Sequence, residues 1–159
     1  MDFNLTEQQL MMQKLFREVA QNEAKENAAD VDENERFPKE SVEVMRQAKM
    51  LGIPYSREYG GAGADYLCYI LAIEELSKTC ATSGVVLSAH TSLGTWPIAQ
   101  FGTEEQKQRF LTDLCTGKKL AAFGLTEPNA GTDAAGQQTT AVLSLIHISE
   151  PTRHLRISY

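Results

Sequence analysis

Apolar and polar positions recur with a helical period through the first 115 or so residues. Met12, Leu15, Phe16, Val19 and Ala20 fall at i, i+3, i+4, i+7 and i+8, one face of a helix running to about Ala29. Thr6, with Gln9 three residues on, makes a capping box at its start. Phe37-Pro38 opens a second helix, with Pro38 where a missing N–H costs nothing; its inner side is Val44, Met45, Ala48 and Leu51, and Gly52 is the expected stop. Residues 53–64 read as a loop, broken by Pro54 and the run Tyr59-Gly60-Gly61-Ala62-Gly63. A third helix over roughly 65–78 is apolar around most of its circumference (Tyr66, Leu67, Tyr69, Ile70, Leu71, Ile73, Leu76), which predicts neighbours on several sides.

Residues 79–103 carry no Lys, Arg, Asp or Glu, and the helix from Ser83 to about Ala99 is expected to be the most buried. Thr82, Ser83, Ser88, His90, Thr91, Ser92, Thr95, Pro97 and Gln100 make this stretch too polar to span a bilayer, so no membrane insertion is expected. Thr103 and Gln106 form a second capping box, opening a fifth helix to about Cys115 with Phe110, Leu111 and Leu114 turned inward. The pattern then changes at Gly117. Residues 120–125 form a short apolar run that predicts a strand, and residues 126–136, holding Pro128, Gly131 and Gly136, predict a structured loop. The expected fold class is an all-α N-terminal domain of about five helices followed by the first strand of something else.

Composition narrows the function. With 159 residues the chain is long enough for one domain, and 42% hydrophobic with 23% charged residues is ordinary for a globular protein. A net charge of −6 argues against nucleic acid as the main partner. Cys68, Cys80 and Cys115 are odd in number, far apart and without metal-ligand spacing; they read as reduced, buried thiols of a cytoplasmic protein. Met1-Asp2-Phe3-Asn4 has neither the basic start nor the apolar run of a signal peptide.

The candidate chemistry lies in Phe123-Gly124-Leu125-Thr126-Glu127-Pro128-Asn129-Ala130-Gly131-Thr132-Asp133. A glycine-containing loop can bring backbone N–H groups close to an anionic or electron-rich ligand, and Thr126 and Thr132 add hydroxyls that donate and accept. On those grounds alone the segment reads as a turn, as most Pro-Asn-Ala-Gly segments are. Gly124-Leu125-Thr126-Glu127, then Ala130-Gly131-Thr132-Asp133, then Gly136 resembles at every position the flavin signature of the acyl-CoA dehydrogenase family. The opening Met1-Asp2-Phe3-Asn4-Leu5-Thr6, Gly52-Ile53-Pro54 with Glu58-Tyr59-Gly60-Gly61-Ala62-Gly63, Ile73-Glu74-Glu75-Leu76-Ser77, Ser88-Ala89-His90-Thr91-Ser92-Leu93 and Phe101-Gly102-Thr103-Glu104-Glu105-Gln106-Lys107 resemble the same family's short-chain (butyryl-CoA) members, in order, over residues 1–142.

The resemblance implies an oxidoreductase of fatty acid metabolism with FAD as cofactor. It also implies a helical domain over residues 1–118, and over 119–142 the first strand and flavin loop of a truncated β-barrel domain. In that family Phe123, Gly124, Leu125, Thr126, Glu127, Pro128, Asn129, Ala130, Gly131 and Thr132 would line the flavin, with Thr126 on the pyrimidine side of its ring and Thr132 also touching the CoA thioester. The implied reaction is α,β-dehydrogenation of a short-chain acyl-CoA, with a carboxylate taking the α-proton and the flavin taking hydride from the β-carbon. The implied partners are the acyl-CoA and an electron-transferring flavoprotein, and the full-length parent is expected to form a homotetramer. No catalytic residue is assigned: the family's base is a glutamate of a C-terminal domain, Glu127 belongs to the flavin loop, and Glu74 and Glu75 read as a solvated helix face. Leu87, His90, Thr91, Leu93 and Gly94 could wall an acyl tunnel or simply be core, with His90 a satisfied core histidine.

Residues 143–159 do not match the rest. Leu143-Ser144-Leu145-Ile146-His147-Ile148-Ser149-Glu150-Pro151-Thr152-Arg153, with Ile157-Ser158-Tyr159, resembles a translated transposon-type sequencing adapter and is expected to be non-native. Two other readings stay open: a stand-alone helical interaction module, against which a strand near Thr139 with no partner would speak, and a related flavoenzyme such as an acyl-CoA or nitroalkane oxidase.

Overall fold

The computed structural model describes residues 4–142 and 150–151. It divides into two compact units, Met1–Phe123 and Gly124–Tyr159. In the first, α1 (Glu7–Val19), a π turn (Ala20–Ala24) and α2 (Lys25–Glu33) run on as one rod, which outlasts the expected end near Ala29. Next come α3 (Lys39–Gln47), short 3₁₀ turns at Met50–Gly52 and Arg57–Tyr59, and α4 (Tyr66–Ser77). The uncharged stretch is a second rod of α5 (Ala81–Ser88), a π turn (Ala89–Thr95) and α6 (Trp96–Phe101). A last run joins α7 (Glu104–Gln106), a π turn (Lys107–Leu111) and α8 (Thr112–Cys115). Among the described residues the predicted five helices are thus present. The middle π turn ends just before Trp96-Pro97, where proline has no N–H to give the carbonyl four residues back.

Both capping boxes form. Thr6 Oγ1 accepts from the Gln9 amide at 3.2 Å while Gln9 Oε1 accepts from the Thr6 amide at 2.9 Å, and Thr103 with Gln106 repeats the arrangement at 3.3 and 2.8 Å. Asp65 caps α4, its carboxylate accepting from the Cys68 amide at 2.8 Å. The expected stop at Gly52 is not where α3 ends: the helix closes at Gln47, and Lys49 takes the left-handed conformation at φ 56°. Gly52 serves packing instead, since a Cβ there would stand 2.7 Å from the Cys115 carbonyl oxygen.

The core lies where α1, α4 and α5 pack side by side. It gathers Phe16, Ala20, Met45, Leu51, Tyr69 and Leu76, with smaller residues filling between. A second cluster of Tyr55, Leu111 and Cys115 sits under the last helical run, and the Tyr55 hydroxyl donates to the Thr91 carbonyl at 2.5 Å. Cys68, Cys80 and Cys115 are buried free thiols.

Several faces differ from the sequence expectation. Leu15 and Phe110 point outward, because only part of each predicted stripe meets a neighbouring helix. α4 buries Cys68, Tyr69, Leu71, Ala72 and Leu76 but leaves Tyr66, Leu67 and Ile70 exposed, so it lacks neighbours on one side among the described residues. The uncharged rod is not buried throughout either, since Val85, Leu93, Trp96 and Phe101 are exposed. Glu75 is not solvated: it is 3% exposed and ties α4 to α1. Its Oε2 and Oε1 each accept from the Arg17 guanidinium at 3.0 Å, and Lys78 Nζ adds 3.0 Å to Oε1. The Arg17 fork, more than Lys78, holds the Glu75 carboxyl below its usual range against the opposing cost of burial.

The strand expected over residues 120–125 is absent; the segment is irregular, with Leu120, Phe123 and Leu125 exposed and no partner segment for a ladder among the described residues. The strand ladder described is a two-residue antiparallel pair in the second unit, β1 (Ala141–Val142) with β2 (Glu150–Pro151). The strand begun near Thr139 is thus paired with residues of the stretch expected to be non-native. Of the calls on the chain ends, Met1-Asp2-Phe3 and residues 143–149 and 152–159 lie outside the described residues.

Candidate functional site

The segment singled out in the sequence straddles the two units, with Phe123 closing the first and Gly124 opening the second. In the second unit, Glu127 and Ala130 exchange backbone hydrogen bonds, both at 3.1 Å, which turns the chain through Pro128-Asn129. The Glu127 carboxylate braces this turn by accepting from the amides of Gln138 at 2.7 Å and Thr139 at 3.0 Å. Those two amides, Gln138 first, hold the Glu127 carboxyl below its ordinary range. A group so held is a poor proton acceptor near neutral pH, in keeping with assigning it no role as base. Gln137 Nε2 donates to the Leu125 carbonyl, closing the loop from the other side.

What remains is an open surface. Ala130 is 1% exposed, Glu127 is partly buried, and Gly124, Leu125, Thr126, Pro128, Asn129, Gly131 and Thr132 are all exposed. The hydroxyls of Thr126 and Thr132 and the amides of Leu125, Thr126, Gly131 and Thr132 have no partner among the described residues. Neither Gly124 nor Gly131 holds a left-handed φ, and a Cβ at either would meet nothing within 4 Å. Local geometry does not require glycine at these two positions. Close approach of a flat ligand to the backbone would, and the donor set and the bare glycine edges fit a flavin ring.

The tunnel candidates of the helical unit separate. Leu87, His90 and Thr91 are fully buried in packing. His90 is a satisfied core histidine: Nε2 lies 3.2 Å from the Leu114 carbonyl oxygen and Nδ1 accepts from the Ala121 amide at 3.0 Å. Burial lowers its pKa, so the neutral ring is favoured. Leu93 is exposed, and Gly94 is backed by Ala121. Sequence reasoning missed a groove of about 420 Å³ lined by Pro97, Ile98, Phe101, Gly102, Gln106 and Phe110. Trp96 packs edge-on against Phe101 beside it, ring centroids 5.5 Å apart. The signal was present: the uncharged run ends in two aromatics that the rest of its own helix has no means to bury. Among the described residues no group of three or more His, Cys, Asp or Glu could hold a metal ion, and no helix is long and apolar enough to cross a membrane.

Comparison with known proteins defines the class. Residues 6–118 match the family model for the acyl-CoA dehydrogenase N-terminal domain, and the chain belongs to that family. Among curated relatives, the short-chain specific acyl-CoA dehydrogenase of Clostridium acetobutylicum is 59% identical over 147 residues, covering 92% of this chain and 39% of that protein. Among solved structures, butyryl-CoA dehydrogenase from Megasphaera elsdenii superposes with a TM-score of 0.84 at 46% identity, over 89% of this chain and 38% of that one. A chain in the structure of the electron transferring flavoprotein of Acidaminococcus fermentans gives 0.86 at 48% identity, over 91% and 38%. An acyl-CoA dehydrogenase from Bacillus anthracis, complexed with FAD, gives 0.81 at 35% identity, over 90% and 24%. The chain spans under two fifths of the length of these proteins, matching the N-terminal family domain.

Proposed function

We propose that the chain is the N-terminal part of an FAD-dependent, short-chain acyl-CoA dehydrogenase that converts a butyryl-CoA-like thioester to its trans-2-enoyl product. In this reading residues 1–118 are the helical domain, residues 119–142 begin a middle β-domain and residues 143–159 are an adapter-derived tail. The family match and the butyryl-CoA and FAD-bound neighbours support it. The observation that carries the cofactor assignment is the pair of bare glycine edges beside unpartnered amides and threonine hydroxyls in segment 124–132.

Bound there, the flavin would supply the hydride acceptor. The chain's own residues have other tasks. The Thr126 hydroxyl and the free amides of Leu125 and Thr126 would hold the pyrimidine edge, and the Thr132 hydroxyl would reach the thioester. Positioned donors of this kind orient the reactants and stabilise charge developing on a carbonyl. Glu127 keeps the turn closed, while Phe123, Pro128, Asn129 and Ala130 complete the wall. The α-proton would go to a glutamate outside these residues, so the 159-residue chain by itself is inactive. Electrons would leave to an electron-transferring flavoprotein, a partner supported by the similarity to a chain of the Acidaminococcus electron transferring flavoprotein structure. The parent would act as a cytoplasmic homotetramer.

The test uses two proteins. Met1–Tyr159 should show no oxidation of butyryl-CoA with an artificial electron acceptor. The intact gene product, read from source DNA past codon 142, should purify yellow and oxidise butyryl-CoA. Turnover by the short chain would refute the division of labour. A colourless intact product that FAD cannot reconstitute would refute the cofactor assignment.

A further inference from the structure

We propose that His90 and Gly94, one turn apart on the uncharged rod, form a seat for Ala121 that fixes where the chain enters segment 123–132, making His90 a positioning residue for that segment. The inference rests on reading 123–132 as the flavin site.

The hydrogen bonds define the state of the ring. The Leu114 carbonyl can only accept, so His90 Nε2 carries the proton; the Ala121 amide can only donate, so Nδ1 is bare. One neutral tautomer satisfies both, and at 1% exposure no water competes for either nitrogen. The two partners lie on either side of the connection leaving α8, so one side chain staples both ends of it. Gly94 completes the seat from the next turn. A Cβ there would stand 2.3 Å from the Ala121 Cβ and 3.0 Å from its carbonyl carbon, so no larger residue lets Ala121 come this close.

The seat matters because, among the described residues, little else holds this stretch. Among the described residues, the Ala121 amide is the one backbone group of residues 120–124 with a hydrogen-bond partner. Among the described residues no strand ladder holds the stretch. Phe123 follows Ala121 by two residues, so freedom gained at Ala121 passes directly into the segment's first residue. An apolar side chain would fill the cavity at position 90 as well as histidine does, yet histidine commits both nitrogens to main chain. That double commitment is what a positioning role requires and a space-filling role does not.

The test separates the two nitrogens. His90→Asn keeps an acceptor near the Nδ1 position and gives up the reach to Leu114. His90→Gln reaches Leu114 and gives up the Ala121 bond. In Met1–Tyr159, hydrogen exchange at the Ala121 amide should quicken about tenfold in His90→Gln and Gly94→Ala, the loss expected of one buried hydrogen bond, and stay within about twofold of wild type in His90→Asn. In the intact gene product, FAD dissociation constants should follow the same order, about tenfold weaker for His90→Gln and Gly94→Ala and near wild type for His90→Asn. A yellow wild type whose Asn and Gln variants retain flavin equally, or Ala121 exchange that ignores all three changes, would overturn the inference alone. A colourless wild type would overturn the flavin reading and the inference with it.

Discussion

Each glycine of the helical unit answers to a neighbour a few ångströms away, whereas Gly124 and Gly131 of the second unit answer to nothing among the described residues. Gly61 sits with its would-be Cβ 2.2 Å from the Tyr55 carbonyl oxygen, and Gly84 with its own 2.0 Å from the Ser77 hydroxyl oxygen. Two phenylalanines of the first unit differ as sharply: Phe16 is 2% exposed in the core, while Phe123, its last residue, is 52% exposed. The core and the glycines of the helical unit are explained by packing. Segment 123–132 is not, and residues that serve no local contact point to a ligand or a neighbouring part of the protein.

The sharpest way to break this comparison is to truncate the two phenylalanines. Phe16→Ala empties a site at the centre of the α1, α4 and α5 packing and should cost Met1–Tyr159 about 3–5 kcal/mol in chemical denaturation. Phe123→Ala removes a half-exposed ring and should cost under about 1 kcal/mol. In the intact protein the order should invert for flavin retention, with Phe123→Ala the more damaging among folded variants. Equal stability losses at the two sites would show that segment 123–132 is ordinary core.

The glycines give a finer cut. Gly61→Ala must push against backbone, which cannot yield as the end of a side chain does, and should destabilise by about 1–3 kcal/mol. Gly131→Ala enters open space at an ordinary φ and should leave the short chain unchanged within about 0.5 kcal/mol while loosening FAD in the intact protein. A thermal scan of both variants decides it; a loss at Gly131 as large as at Gly61 would mean that the loop's glycines are structural after all.

Most of the helical unit was legible because its signals are local. The Thr6–Gln9 and Thr103–Gln106 capping boxes are written within four residues of the helix starts they fix. Which side of an apolar helix meets a neighbour is not local, and there the sequence misled: Leu15, Ile70 and Phe110 look inward by pattern and lie outward. Glu75 was hidden for the same reason. Glu74-Glu75 reads as a polar face until Arg17, far away in sequence, arrives to bury one of the pair. At the candidate site the residues were visible as a motif, and the irregular backbone of 120–125 was not. A short apolar run reads as a strand unless one knows that no partner is at hand and that His90 takes its one tethered amide.

The smallest effect concerns that same histidine and depends on pH. Burial lowers the His90 pKa in the folded chain, while in the unfolded chain it keeps its ordinary value near 6.5. Between those two values the unfolded state binds a proton that the folded state refuses, so lowering the pH favours unfolding. The stability tied to the neutral ring is therefore complete above about pH 6.5 and is lost as the pH falls below it, with a slope that approaches about 1.4 kcal/mol per pH unit for one proton. Carboxylates such as Glu75 and Asp65, held below their usual values, add their own acid losses at lower pH. The comparison is accordingly between wild type and His90→Asn, measured by denaturation at closely spaced pH values from 7.5 to 5.5. Wild type should lose more stability than the variant over that range, since asparagine cannot take up the proton. Parallel curves would mean that His90 charges as readily inside the fold as outside it, and that its contacts with Ala121 and Leu114 do not hold it neutral.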